Sequence, residues 1–281
     1  MAQTPMNNDR ATTQAPVKEY VNADWRPSLV PDGTIDRVKD RNYRTLEWYN
    51  IRENDIAFKR RFWKRVDVKE RQNMPFIYKG DEYSGGGAFV EILLDGIKRG
   101  KIRAYTDDKF TREYSYDDIS KKLSSESQVE VADAVTGEIS LKTSYNTFNP
   151  EQVAMYEIEE DYIFDRNAGR MVARLRSITP MLAILDDNTS EFLAWKTLFT
   201  IYYPDARALL SQYEIYNPQN DVHRQSWSDY LDRMMYNGFI TKSSRNNPTN
   251  ADLKQNSLRG LYEGQKEMEM LIQKDMDMWE L

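Results

Sequence analysis

The stretch that decides the fold is YEIEEDYIFDRNAGRMVARLRSI, residues 156–178. Apolar and acidic residues largely alternate as far as Phe164, and a second alternating run begins at Met171. Alternation with a period of two is typical of a strand that buries one face. The residues between the two runs, Arg166 to Gly169, have the composition of a turn. The stretch therefore predicts an antiparallel hairpin.

The charges of this hairpin agree with a single register. Pairing Asp165 with Arg170 sets carboxylates opposite guanidinium groups on one face and apolar side chains opposite each other on the other face. The cross-strand pairs expected from that register are Asp161 with Arg174, Glu159 with Arg176, and Phe164 with Met171.

Helical spacing of apolar residues occurs in three other places. Residues 89–97 predict a buried helix that stops at Gly100. Ser226 has the character of an N-cap before a core-facing helix that carries Trp227, Tyr230, Leu231, Met234 and Met235. A terminal helix is expected to turn one stripe towards the core, formed by Met268, Leu271, Ile272, Met276 and Trp279.

A further strand is expected to present five apolar residues on one side, namely Leu193, Trp195, Phe199, Ile201 and Tyr203. Pro204 and Asp205 end that strand and open a short helix. Because helices and strands mix without a regular βαβ alternation, the sequence predicts an α+β fold of mixed helices and antiparallel strands.

The first 35 residues are poor in aliphatic side chains and contain Pro5, Pro16, Pro27 and Pro31. Such a segment has too little apolar surface to offset the entropy lost on ordering. We expect residues 1–35 to form a flexible N-terminal arm, or an arm that orders on a partner. The remaining residues, 36–281, are expected to form a single α+β domain.

Composition limits the chemistry that the chain can perform. It has 39 Lys and Arg against 45 Asp and Glu, and the net charge of −6 argues against general nucleic-acid binding. It has no cysteine and one histidine, His223, so zinc, iron–sulfur and thiol chemistry lack their usual side chains. We expect no cofactor, no metal and no enzymatic activity, and no run of apolar residues is long enough to span a bilayer.

Other candidate motifs have simpler explanations. The glycines around residues 96–100 fail the phosphate-loop pattern in spacing and in the hydroxyl residue that should follow the lysine, so helix punctuation explains them better. We expect His223 to be a loop residue, and Asp186-Asp187 to belong to a turn before Asn188. The acidic cluster at residues 157–161 is explained by its expected cross-strand arginines.

The segment from Lys59 to Arg71 is the one basic stretch that also carries aromatic residues. It could bind an anionic surface such as phospholipid headgroups or cell-wall polymer. A solvated face beside packed Phe62 and Trp63 is the favoured interpretation. Periodicity leaves helix and strand open here. The 18 Tyr, 10 Phe and 6 Trp of the chain weakly favour an exposed surface for binding other proteins.

Several landmarks fall in the order seen in one family. The basic segment ending in Met74-Pro75-Phe76 precedes the apolar helix before Gly100-Lys101-Ile102. Tyr202-Tyr203-Pro204-Asp205-Ala206-Arg207, the Ser226-Trp227 helix and a charged last helix closing with Asp277-Met278-Trp279 follow. Over roughly residues 40–281, the chain resembles GldN, also called PorN, a gliding motility and type IX secretion component of Bacteroidetes.

The resemblance implies a periplasmic, non-catalytic subunit that forms a ring with an outer-membrane lipoprotein, GldK or PorK, and contacts the trans-periplasmic protein GldM or PorM. It also favours reading Met1-Ala2-Gln3 as a start added to a chain whose signal peptide is absent. We expect partner contacts in the basic segment, at the corner after the 193–203 strand and in the last helix. The residues are Arg61, Trp63, Lys64, Arg65, Tyr203, Asp205, Arg207 and Trp279.

Two alternatives from other classes remain open on the residues alone. A hydrolase or transferase could use buried carboxylates, with Glu159 and Asp161 as the candidates. A module that binds cell wall or anionic lipid would instead depend on Arg60, Arg61 and Arg65.

Overall fold

A computed structural model describes residues 28–31, 33–36, 44–81, 87–123, 125–132, 139–146, 149–185, 192–217, 220, 225–253 and 258–279. For residues 125–132, 139–146, 185 and 279 the description covers the backbone. The expected turn at Asp186-Asp187, the loop at His223 and nearly all of the expected arm lie outside these residues. The side chain of Trp279 does too.

An antiparallel sheet forms the centre of the molecule. In chain order the strands are β1 (Ile56–Asp67), β2 (Ala104–Tyr105), β3 (Glu113–Tyr114), β4 (Ser125–Ala132), β5 (Ile139–Asn146), β6 (Val153–Asp165), β7 (Arg170–Leu185), β8 (Phe192–Thr197), β9 (Thr200–Tyr202), β10 (Glu214–Ile215), β11 (Gln225–Ser226) and β12 (Phe239–Ser243). The main sheet has the order β12-β1-β6-β7-β9-β2-β3, and β8 also pairs with β7. The pairs β4-β5 and β10-β11 are separate ribbons.

The α-helices are α1 (Phe89–Lys98), α2 (Tyr116–Leu123), α3 (Tyr203–Leu210), α4 (Trp227–Asp232) and α5 (Leu258–Trp279), and 3-10 turns occupy Glu53–Asp55, Arg71–Ile77 and Pro150–Gln152. Local sequence accounts for their ends: Gly100 follows α1 with φ of 66°, and the Ser226 hydroxyl accepts from the Asp229 N–H at 3.1 Å. Pro204 lies in the first turn of α3. The predicted α+β class is confirmed.

The predicted hairpin forms from β6 and β7. Asp165 pairs with Arg170, Phe164 with Met171 and Asp161 with Arg174, as the charge pattern predicted. The pairing of Glu159 with Arg176 is wrong, because Glu159 lies opposite Ser177 and Glu160 opposite Leu175. Arg176 is thus the extra residue of a β-bulge, although its Nε still lies 3.5 Å from a Glu159 oxygen.

The single strand expected over residues 193–203 is two strands. Met181 pairs with Thr197 in β8, but Ile178 pairs with Ile201 in β9, so one extra residue lies between the two ladders. A one-residue shift exchanges the faces of a strand. Leu193 is consequently exposed although Phe199 and Ile201 are buried, and Tyr203 begins α3 rather than ending a strand.

Two helical stripes are shorter than the sequence predicts. Helix α4 ends at Asp232, and Met234 adopts a positive φ of 51°, so the exposed Met235 does not continue the buried face. On α5, Leu271 is buried but Ile272 and Met276 are exposed. The position at which a helix ends and the face that it buries depend on tertiary contacts rather than on the spacing of its apolar residues.

Two apolar clusters lie against the sheet. The larger one joins α1, α3 and α4 to β1, β6, β7 and β9, and its largest fully buried side chains include Tyr156, Phe89 and Trp227. The smaller one places Leu271 of α5 against Phe62 and Ile240. Strand β1 contributes to both clusters, since Val66 belongs to the larger one.

Candidate interaction surfaces and a buried charge network

The basic segment is strand β1, and it lies beside the acidic strand β6. The register pairs Arg61 with Asp161, Trp63 with Glu159 and Arg65 with Glu157. Alternating residues of two neighbouring strands point to the same face, so cations and carboxylates share one side of the sheet. The two clusters that look separate in the sequence therefore neutralise each other.

Short ion pairs hold this face together. Arg61 Nε lies 2.6 Å from Asp161 Oδ1, and Arg61 Nη1 lies 3.0 Å from Glu159 Oε1. Lys59 Nζ also reaches Asp161, at 2.9 Å. The expectation of a solvated basic face is wrong for Lys64 and Arg65, whose side chains are buried.

Burial and ion pairing shift the pKa values of Glu159 and Asp161 in opposite directions. Burial raises the pKa of Glu159 in spite of the nearby Arg61 and Arg176. Burial pushes the pKa of Asp161 upwards too, but hydrogen bonds from Arg61 and Lys59 outweigh it and hold that pKa below its usual range. Burial opposes the charge of Arg61, and its hydrogen bond with Asp161 nevertheless raises its pKa.

A second ion pair lies on the opposite face of the sheet. Glu160 is fully buried, and its carboxylate accepts from Lys64 Nζ at 2.8 Å. The hydroxyls of Tyr162 and Tyr236 also donate to it, at 2.9 and 2.5 Å. Burial, followed by the Glu160 charge, raises the pKa of both phenols. Lys64 therefore neutralises a buried carboxylate of its own chain, and in β1 it lies between Phe62 of the smaller apolar cluster and Val66 of the larger one.

Tyr203 and Arg207 hold the corner between β9 and α3 by binding one carboxylate. The Tyr203 hydroxyl donates to Asp232 Oδ1 at 2.8 Å, and Arg207 Nη2 donates to Asp232 Oδ2 at 2.7 Å. Arg207 also donates to the Leu46 carbonyl at 2.6 Å and lies 4.3 Å from the Trp48 ring. This arrangement ties residues 46–48 to the body.

The eight predicted contact residues differ in their accessibility. The corner residue Asp205 is exposed and lies 3.2 Å from Arg103, and Arg61 is about one-quarter exposed at its side chain. Trp63 is buried, and its Nε1 donates to Asp108 at 3.2 Å. Lys64, Arg65, Tyr203 and Arg207 are buried as well.

Sequence analysis missed an exposed apolar edge. Among the residues that the structure describes, strand β8 pairs with β7 and with no other strand, and its residues Phe192 and Leu193 are 43% and 60% exposed. Ile184 of β7 is exposed next to them, and the rings of Phe192 and Trp195 lie 5.0 Å apart. An apolar strand with an open edge favours the addition of another chain. The run of four apolar residues at 192–195 is the signal that could have identified it.

One open, polar cavity has a volume of about 500 Å³. Its lining includes Tyr49, Arg52, Asp55, Asp165 and Arg170. Neither Glu159 nor Asp161 lines it, so the two carboxylates proposed for catalysis do not face this space.

Within the described ranges, no three His, Asp or Glu side chains come close enough together to hold a metal ion. No helix in those ranges combines the length and the apolar character needed to cross a bilayer.

Comparison with known proteins places the chain in a family. No curated protein matches it. A family model described as gliding motility associated protein GldN matches residues 51–280, which is most of the 281-residue chain. The match includes the β1–β6 charge network, the Tyr203–Arg207 corner and all of α5. The chain therefore belongs to the GldN family of gliding motility associated proteins.

Proposed function

We propose that this chain is a non-enzymatic, periplasmic subunit of the type IX secretion and gliding machinery. In this proposal it forms a ring with an outer-membrane lipoprotein of the GldK or PorK kind and contacts a trans-periplasmic protein of the GldM or PorM kind. The observation that carries the proposal is the family match over residues 51–280.

The charge network supports a structural role for the residues that could otherwise suggest chemistry. Glu159 and Asp161 share Arg61, and the bidentate bond from Arg61 to Asp161 occupies both carboxylate oxygens. Arg65 lies 3.3 Å from Glu157 and Arg60 lies 3.7 Å from Glu267, so carboxylates of this chain also engage the other cations that an anionic lipid or cell-wall polymer would need. Because these charged side chains pair with each other, we assign them to stabilising the sheet and assign the binding of partners to other parts of the surface.

The β8 edge supports a contact with another polypeptide. Its exposed apolar residues are Ile184, Phe192 and Leu193, and an edge strand can accept a further strand through its backbone. We propose this edge as a main contact with the lipoprotein. Arg61, the exposed Asp205 and the end of α5 at Trp279 remain proposed secondary contacts, and Trp63, Lys64, Arg65, Tyr203 and Arg207 support them from within.

Co-expression with the candidate lipoprotein, followed by size measurement of the purified product, tests the proposal. We expect a large co-purifying assembly, and Leu193→Glu should abolish it while leaving the circular dichroism spectrum unchanged. Leu46→Glu is the matched control, because the Leu46 side chain is 75% exposed and its backbone carbonyl contacts Arg207 of α3 rather than β8. A persistent monomer with every candidate partner would contradict the proposed function.

The enzymatic and lipid-binding alternatives have separate readouts. Under our proposal, Glu159→Gln and Asp161→Asn should lower the free energy of unfolding, and neither variant should differ from the unaltered chain in any measured turnover. Turnover that disappears in folded variants would instead support a hydrolase. Salt-sensitive binding to anionic liposomes, lost on charge reversal at Arg60, would support the lipid-binding module.

A further inference from the structure

Helix α5 is attached to the body along one of its faces. Leu271 packs in the smaller apolar cluster, and Glu267 Oε2 accepts from the Ser243 hydroxyl at 3.0 Å. Gly264 permits the close approach, since a Cβ there would lie 2.7 Å from the Ile240 carbonyl oxygen. The anchored face therefore lies over β12, an edge strand of the main sheet.

A second apolar stripe of α5 faces away from the body. Its members are all large and all at least half exposed, namely Leu258, Leu261, Tyr262, Ile272 and Met276. Each residue turns a helix by about 100°, which places this stripe roughly a quarter-turn or more from the anchored face. Gln265 and Glu269 lie on the same side of the helix between Tyr262 and Ile272, so the stripe consists of one apolar patch near each end. Exposed apolar patches rimmed by polar residues are typical of interaction sites.

The stripe has the symmetry that pairing with itself requires. Leu258 and Met276 are equally distant in sequence from Glu267, and so are Tyr262 and Ile272. When two copies of the helix align in opposite directions about that position, Leu258 and Tyr262 of one copy meet Met276 and Ile272 of the other. Gln265 meets Glu269 between these two apolar contacts. A two-fold contact between identical chains needs a patch that is self-complementary in this way.

The charges beside the stripe select the antiparallel direction. Beside the stripe, the N-terminal half carries Arg259 and Lys266 and the C-terminal half carries Asp277, while Glu269 lies within the stripe itself. In an antiparallel pair Arg259 approaches Asp277 of the other copy, and Lys266 approaches Glu269. A parallel pair would bring like charges to the same level, which is unfavourable.

We propose that α5 docks against α5 of a second copy of this chain, antiparallel and about a two-fold axis near Glu267. This contact uses the same surface on both copies, so it joins two copies and cannot add a third. A ring instead requires each copy to contact its neighbours through two different surfaces. It is therefore additional to the proposed ring contacts and does not depend on the proposed function. It concerns this chain alone, in the absence of any lipoprotein.

The contact is a weak one. Two helices touching along one stripe bury less than the about 800 Å² per partner of a standard interface. Weak contacts become significant when other contacts hold the copies close together, because the effective concentration is then high. The pairing should thus be measurable for the purified chain mainly at high protein concentration.

Disulfide trapping can detect this pairing because the chain has no cysteine. Full-length chains with Leu258→Cys and with Met276→Cys, carrying tags of different size, are mixed and oxidised. Random pairing of equimolar chains gives twice as much mixed disulfide as either homodisulfide, and antiparallel docking predicts a mixed yield well above that ratio. Predominant homodisulfides, or a mixed yield no higher than this twofold statistical ratio, would overturn the proposal.

Charge exchange provides a second readout that does not rely on cysteines. Sedimentation velocity over a range of concentrations should show a monomer–dimer equilibrium for the unaltered chain. Lys266→Glu should lower the association constant by about tenfold, because it sets like charges against each other twice. Adding Glu269→Lys to the same chain should restore the association constant. A chain that stays monomeric at every concentration, or a double variant no better than the single one, would refute the docking.

Discussion

Replacing Lys64 with methionine removes the cation that faces the buried Glu160. The Lys64 Nζ lies 2.8 Å from the Glu160 carboxylate, and Glu160 has no exposed surface. Methionine is unbranched like lysine and one atom shorter, so it keeps most of the length and fills nearly the same space. The variant thus isolates the effect of charge, since a buried carboxylate is left without its cation.

The expected magnitude follows from what remains around Glu160. Breaking a buried ion pair by removing one partner costs about 3–5 kcal/mol. The Tyr162 and Tyr236 hydroxyls continue to donate to the Glu160 carboxylate. We therefore expect the free energy of unfolding to fall by about 3 kcal/mol, the lower end of that range. For a chain of this size such a loss lowers the melting temperature by about 6–12 °C.

Equilibrium unfolding in urea, followed by circular dichroism, measures this loss. The control is Lys79→Met, because Lys79 Nζ lies 2.7 Å from Glu151 and both side chains are largely exposed. That variant should unfold with an almost unchanged midpoint. Combining Lys64→Met with Glu160→Gln removes both charges and should cost less than the two single changes together. If Lys64→Met behaves like Lys79→Met, the pair does not stabilise the fold as argued.

Three further predictions concern other parts of the molecule. Gly264→Val should weaken the docking of α5, because its side chain would overlap the Ile240 carbonyl, and hydrogen exchange of the α5 amides should accelerate. Ser226→Ala removes the acceptor of the Asp229 N–H and should cost about 1 kcal/mol in urea unfolding, whereas Ser226→Asp should retain most of the stability. Burial raises the pKa of Tyr236 in the folded state, so its stabilising contribution is present below the unfolded-state pKa of about 10 and is lost as pH rises above it. Unfolding midpoints measured from pH 8 to 11 should fall above pH 10, and Tyr236→Phe should make that fall shallower.

Local signals predicted the elements that depend on neighbouring residues. The hairpin register from Asp165 to Asp161, the α1 helix with its stop at Gly100 and the Ser226 cap depend on contacts within a few residues or across one turn. Prediction failed where a distant strand intervened. The bulge at Arg176 and the division of the 193–203 strand arise from pairing that no local pattern records.

The candidate sites show the same division. The sequence identified the basic segment and the acidic cluster as unusual, but it assigned Arg174 as the counter-charge of Asp161. In the structure Arg61 and Lys59 of β1 provide that charge, a hundred residues away in the chain. Arg174 instead lies 4.5 Å from the Trp48 ring.

The sequence by itself determined the α+β class and the central hairpin, because these follow from periodicity, turn composition and residue types. Only the tertiary structure decided that β1 lies beside β6, that their charges neutralise each other and that α5 leaves one apolar stripe exposed. The physical reason is that a side chain's burial and charge depend on which distant strand or helix packs against it. Periodicity specifies that a segment has an apolar face and does not specify its partner.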